Sequence, residues 1–274
     1  MQEPKISVII PFYKEKDYQV RRSINSVLNQ TFQDFELLCI LDNPENFEIF
    51  AILNEYEVSD KRVRAFKLEK NMGSSGARNK GAELAKADYI CFFDGDDEYL
   101  PEKLEKQYYF MLSNPELDMS GTYTIWKDEE TRSVFYYRPK DPDISIKYQI
   151  PIPLTTIMIK KSKLFVYGFF DLRYKYSQDY EFVIRWYLQG AKMANLNEHL
   201  VIYYRHSHAD KNVGRKQVLA GIKVKLKYRK ELGLGVKQYI RIIFADLLIV
   251  VMMPQLLVNN LIFFKNKLSN IIYR

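Results

Sequence analysis

The first hundred residues contain uninterrupted apolar runs separated by stretches of helical periodicity, and this pattern leaves few folds open. ISVIIPFY (Ile6 to Tyr13), FELLCILD (Phe35 to Asp42) and DYICFFD (Asp88 to Asp94) set aliphatic and aromatic side chains in a row without the alternation of a half-wet strand. Such runs belong to strands buried on both faces, as in a parallel sheet covered by helices. Between them, DYQVRRSINSVLNQT carries Val20, Ile24, Val27 and Leu28 at helical spacing. PENFEIFAILNEY opens a second helix with Pro44 near its first turn, and GARNKGAELAKA supplies a third. RVRAFKL adds a shorter strand. Strand and helix alternating at roughly 25 to 30 residues predict a doubly wound α/β sheet. Ligands bind beyond the carboxyl ends of strands in such sheets, and Tyr13, Asp42 and Asp94 to Asp97 all fall just past those ends.

Beyond Pro101 the alternation weakens. PEKLEKQYYFML reads as a helix, strands are expected between Met119 and Tyr137, and SQDYEFVIRWYLQG reads as a helix ended by Gly190. With 274 residues, 47% hydrophobic and 15% aromatic, the chain can bury one large domain or a domain with an appendage. Cys39 and Cys91 lie inside apolar runs and read as reduced core thiols of a cytoplasmic protein. The N-terminal apolar run is too short, and too soon interrupted by Pro11, for a secretion signal.

Charge divides the chain. From Arg205 onward there are 14 Lys and Arg against 3 Asp and Glu, which leaves a net −4 for the preceding 204 residues. Yet YICFFDGDDEYLP, in the acidic part, places Asp94, Asp96, Asp97 and Glu98 within five positions at the end of a buried strand. One reading is a solvated turn, since Asp and Gly are turn formers. The other is a site for Mg²⁺ or Mn²⁺, whose charge compensates carboxylates that would otherwise raise one another's pKa.

The segments SVIIPFY, SVLNQTFQDFELLCILD, NMGSSGARNKG, YICFFDGDDEYLP, GFFD and SQDYEFVIRW resemble, in order and spacing, the inverting nucleotide-sugar-dependent glycosyltransferases of family 2. The resemblance covers roughly residues 5 to 206 and implies a GT-A fold: a Rossmann-like, mostly parallel central sheet flanked by helices, here followed by a C-terminal helical extension. It implies a catalytic domain over residues 1–210, with a nucleotide-sugar half of about 1–100 and an acceptor half of about 101–210.

Carried over by position, Pro11, Tyr13, Asp42, Arg78 and Asp94 belong to the nucleotide site, with Asp42 facing the base and Tyr13 beside it. Asp94 and Asp96 form the Asp-x-Asp signature, Asp96 being the direct ligand of Mn²⁺ or Mg²⁺, and Asp179 stands where the family has its general base. Asp97 and Glu98 complete the turn. A helix N-terminus favours an ionised Asp179, although Asp is also a common helix cap there. The late histidine of the family's metal site corresponds to His206 or His208, between which spacing does not choose.

The chain departs from the family where Leu41 and Asp42 replace two consecutive acids, where Lys14 replaces the Asn after the tyrosine, and where Gln178 replaces the Glu before Asp179. The family implies a UDP-sugar donor and a glycan or lipid-linked glycan acceptor, in surface polysaccharide synthesis. Residues 211–274 read as a basic, apolar helical tail that either lies on the inner face of the cell membrane or packs against protein. Nucleic acid is not expected, because the basic run carries no recognised binding motif.

Other function classes fit the sequence less well. A sugar-nucleotide-forming nucleotidyltransferase, or a dehydrogenase, needs a glycine-rich loop after the first strand, and PFYKEKD has none. A pseudoenzyme that binds nucleotide-sugar without turnover is disfavoured by the presence of Asp42, Asp94, Asp96 and Asp179 together.

Overall fold

The structure, a computed structural model, describes residues 3–205 and 211–252. The chain divides into two compact units, Met1–Arg205 and His206–Arg274. The first begins β1 (Ile6–Phe12), α1 (Asp17–Leu28), β2 (Phe35–Leu41), α2 (Phe47–Ser59), β3 (Val63–Lys67), α3 (Gly73–Leu84) and β4 (Tyr89–Phe92). It continues with β5 (Glu98–Tyr99), α4 (Lys103–Ser113), β6 (Met119–Asp128), β7 (Val134–Tyr137), α5 (Pro142–Ser145) and a 3₁₀ turn at Leu154–Thr156. β8 (Met158–Lys160), α6 (Ser162–Tyr167), α7 (Gln178–Leu188) and β9 (Met193–Arg205) complete it.

All the described strands share one sheet of order β3-β2-β1-β4-β8-β6-β9-β5, with β7 paired to β6. The four strands expected from the sequence form its parallel half, β3-β2-β1-β4. From β4 onward the pairing is mixed: β8 runs antiparallel to β4 and β6, β9 parallel to β6, and β5 antiparallel to β9.

Every residue of β1 and β2 is buried because both faces are covered. Val8, Ile10 and Phe12 pack with Val20, Ile24 and Val27 of α1 and Ile49 and Leu53 of α2. Ile9 points the other way, to α3, where a Cβ on Gly81 would meet Ile9 Cγ2 at 2.4 Å. Each fully buried aliphatic side chain contributes roughly 1.5–3 kcal/mol. Cys39 and Cys91 are free and fully buried, as their runs imply.

The second unit contains α8 (Lys211–Lys227) and α9 (Val236–Met252). Their shared side buries Ile222, Val224 and Ile242, together with an ion pair of Lys225 Nζ and Asp246 Oδ2 at 2.6 Å. Among the described residues, no helix is long and apolar enough to cross a membrane.

Candidate active site

Parallel pairing carries three separated segments to one edge. The Phe12–Leu41 register sets Tyr13 beside Asp42, and the Asp42 amide donates to Phe12 O at 2.8 Å. The pairing of β1 with β4 ends at Ile9 and Phe92, after which the Phe93 amide still donates to Ile9 O at 3.0 Å. Pro11, buried and in register with Ile40, therefore has its missing N–H on the side where β1 has lost a neighbour. Into that gap the turn Asp94–Gly95–Asp96 folds. A Cβ on Gly95 would lie 2.7 Å from Phe12 Cδ1 and 3.2 Å from Pro11 O, so the middle residue must be glycine.

The acids of the turn have distinct surroundings. Asp94 is ion-paired to Arg78, whose side chain is only 5% exposed on α3. Burial raises the Asp94 carboxyl, Arg78 opposes this, and Asp96 adds to it. Asp96 is half-buried. Asp97 is fully buried, and its Oδ1 accepts the Tyr204 amide at 3.1 Å. Burial, then the charges of Asp96 and Asp94, push its carboxyl well above the usual range. The Asp97 amide closes the turn onto Asp94 O at 3.2 Å, while Glu98 Oε2 accepts the Tyr204 hydroxyl at 2.6 Å.

Asp179 stands in the first turn of α7, after Ser177, whose φ of 53° is left-handed and costly for a residue with a Cβ. Its Oδ1 accepts the Tyr180 amide at 2.8 Å. Burial raises the carboxyl, which also feels the opposing charges of Arg78 and Asp94. The helix end alone favours ionisation; the net direction is upward because burial outweighs the amide and the arginine.

Hydrogen bonds tie α7 to α3. Gln178 Nε2 donates to Ser74 Oγ at 3.4 Å, and Asn79 exchanges two hydrogen bonds with the backbone of Phe170, at 2.9 and 3.0 Å. Arg185 donates to Tyr167 O and Phe169 O, while Trp186 Nε1 donates to Gly168 O at 2.9 Å. Arg78, Asp94, Asp96 and Asp179 are thus brought together.

Asp42 is 3% exposed and its Oδ1 accepts the Met72 amide at 2.6 Å, at the start of α3. Burial raises this carboxyl against that amide and the Gly73 amide. Tyr13 is 44% exposed. Glu15, which no motif singles out, folds back so that Oε2 accepts the Tyr13 and Lys14 amides at 2.6 and 3.1 Å, within the field of Asp96. His206 and His208 lie outside the described residues.

A divalent cation fits the donors that are present. Asp97 Oδ2 and the Nε and Nη1 of Arg78 are buried without a hydrogen-bond partner, an excess of both charges suited to a cation and a bound anion. Among the described residues, no group of three or more His, Cys, Asp or Glu forms a cage. One or two carboxylates, completed by phosphate oxygens and water, is the usual protein share for Mg²⁺.

The family profile described as glycosyl transferase family 2 matches residues 7–180. The chain is 34% identical over 220 residues to an uncharacterized glycosyltransferase of Methanocaldococcus jannaschii, covering 78% of this chain and 75% of that one. It is 28% identical over 207 residues to the Escherichia coli UDP-Glc:alpha-D-GlcNAc-diphosphoundecaprenol beta-1,3-glucosyltransferase WfaP, covering 74% and 78%. Among solved structures, S. aureus TarS 1-349 in complex with UDP-GlcNAc superposes with a TM-score of 0.60 at 17% identity, covering 89% of this chain and 81% of that one. The chain spans 43% of a longer TarS chain. At that identity the likeness to TarS concerns the fold, a curled α/β sheet of GT-A type, while the profile covers more than half of the sequence. This chain belongs to glycosyl transferase family 2 and is a glycosyltransferase.

Proposed function

We propose that the protein is an inverting, metal-dependent transferase that moves a sugar from a UDP-sugar to a hydroxyl of a lipid-linked glycan during polysaccharide synthesis. The observation that carries this reading is the convergence of Arg78, Asp94, Asp96 and Asp179 at one sheet edge. The donor and acceptor classes are those printed for WfaP, which the chain matches over most of its length.

Asp96, with Asp94, would hold Mn²⁺ or Mg²⁺, which offsets the negative charge gathering on the departing diphosphate. Arg78 supplies a buried cation with two free nitrogens toward the same phosphates. Pro11 and Tyr13 border the nucleoside with Asp42, whose carboxylate holds the start of α3 in place beside it. His206 or His208, by the position the family resemblance gives them, would add an imidazole ligand to that ion. Asp179 accepts the proton of the acceptor hydroxyl as its oxygen attacks the anomeric carbon from the face opposite the leaving UDP. A carboxyl raised by burial is a better proton acceptor than an ordinary aspartate. Residues of about 1–100 bind the donor, and about 101–210 the acceptor.

The second unit supports a peripheral position on the cytoplasmic face of the membrane. Its α9 exposes Val236, Ile240 and Phe244, one helical turn apart, beside exposed Lys237 and Arg241.

The test is Asp179→Asn assayed against undecaprenyl-diphosphate-linked GlcNAc. UDP affinity should stay unchanged in calorimetry with Mn²⁺, while transfer falls by about 10²–10⁴. Full transfer by this variant would remove Asp179 as base.

A further inference from the structure

We infer that Arg22, on α1, is a positioning residue that sets the metal-binding turn through the backbone of Asp96. Its Nη2 donates to Asp96 O at 2.6 Å, and its Nη1 pairs with Glu129 Oε1 at 2.7 Å. The guanidinium lies 3.4 Å from the centroid of the Tyr204 ring. Tyr204 in turn holds the next two residues of the turn, its amide on Asp97 and its hydroxyl on Glu98. Glu129 receives a second donor, the Tyr18 hydroxyl, at 3.1 Å.

The turn is therefore held from several sides, by Arg78 at the Asp94 carboxyl, by Phe12 beneath Gly95, and by Tyr204 at Asp97 and Glu98. Arg22 grips the Asp96 peptide itself. Fixing that peptide fixes the direction of the Asp96 Cα–Cβ bond, and hence where its carboxylate meets an ion. The Arg22 and Glu129 side chains are 19% and 24% exposed, so their bonds are partly shielded from water. A planar guanidinium can bond a carbonyl, pair with a carboxylate and stack on a ring at once, whereas an ammonium cannot do all three. The contact also spans elements: Glu129 follows β6 and Tyr204 lies on β9, so Arg22 locks the turn to the mixed half of the sheet.

The effect on the ion rests on the function proposed above, while the hold on the turn does not. Two measurements on the full chain keep these apart. Hydrogen exchange of ligand-free protein should show residues 94–98 exchanging about tenfold faster in Arg22→Ala, with β1 and β2 unchanged. Arg22→Lys should recover part of that protection, and Glu129→Gln should lose a smaller share. Calorimetry of UDP should show the Mn²⁺-dependent gain in affinity reduced about tenfold in Arg22→Ala, while binding in EDTA stays the same.

Should Arg22→Ala fail to fold, Arg22→Lys and Glu129→Gln carry the same comparison. Unchanged exchange across residues 94–98 in folded variants would overturn the inference, as would equal loss of UDP binding with and without Mn²⁺. A wild-type protein whose UDP binding ignores Mn²⁺ would count against the proposed function, and the exchange result would still decide the role of Arg22.

Discussion

A buried carboxylate is an expense unless something compensates it, and Asp97 shows the size of the problem. It has no exposed surface, one oxygen without a partner, and two acids for neighbours. In the metal-free protein its pKa lies above the unfolded value, so the folded state holds the proton more tightly. The resulting stability is full at low pH and is lost as pH rises from the unfolded pKa to the folded one. Asp97→Asn keeps an oxygen for the Tyr204 amide and removes the charge. It should raise the melting temperature of metal-free protein at neutral pH by roughly 2–4 °C, the shift about 1 kcal/mol gives a domain of this size, and flatten its dependence on pH. If Asp96 holds the ion as proposed, Asp96→Ala should instead cost at least about tenfold in Mn²⁺-dependent UDP affinity. Asp179 titrates above an ordinary aspartate, so the rate of transfer should climb with pH through that raised value, and a rate–pH profile checks it.

At the scale of elements, the start of α3 is held from near and far, and the near partner is Asn71, whose Oδ1 accepts the Gly73 amide at 3.0 Å. Met72 stands at its N-cap without a side-chain bond, and Asp42, thirty residues away at the end of β2, accepts the Met72 amide instead. Asp42→Ala should destabilise the protein by about 1 kcal/mol, the usual value of a lost cap, seen as faster hydrogen exchange at the start of α3. Gly95→Ala tests the opposite kind of constraint. Its methyl has no room against Phe12 and Pro11 O, so the turn should shift, abolishing Mn²⁺-dependent UDP binding and costing the roughly 1–3 kcal/mol of an overpacked site.

At the scale of the molecule, charge and burial are sorted between two units. The described part of the second unit has ten Lys and Arg against Glu231 and Asp246, and Asp246 is turned inward onto Lys225. Breaking a pair this deeply buried costs about 3–5 kcal/mol. Asp246→Ala should accordingly loosen the pairing of α8 with α9, read as hydrogen exchange in residues 215–246. Removing the residues after Lys230 should release the protein from anionic vesicles in flotation assays, with metal-dependent UDP binding retained. Vesicle binding that survives the deletion would place the contact elsewhere.

The parallel half of the sheet was legible because its information is local. A run such as ISVIIPF can only be covered on both faces, and alternation with helices then forces the acids at the ends of such runs onto one edge. The GAR segment reads as a helix from Gly76, whereas α3 starts at Gly73, where Asp42, just past β2, joins the neighbouring Asn71 in accepting the first amides. The mixed pairing after β4 also escaped a local reading, since β8 has three residues and β5 two, too few to show a period. Asp179 was placed by its motif, but the direction of its proton affinity was set by burial, which no neighbour in the chain announces. Arg22 is one of two adjacent arginines on a surface helix; only the tertiary structure separates it from Arg21, which pairs with exposed Asp17 and Glu55. Sequence alone determined which strands are buried and where the acids fall, because burial of a strand is written in consecutive residues. Tertiary structure decided which charges are compensated and by what, because the compensating groups come from segments far apart in the chain.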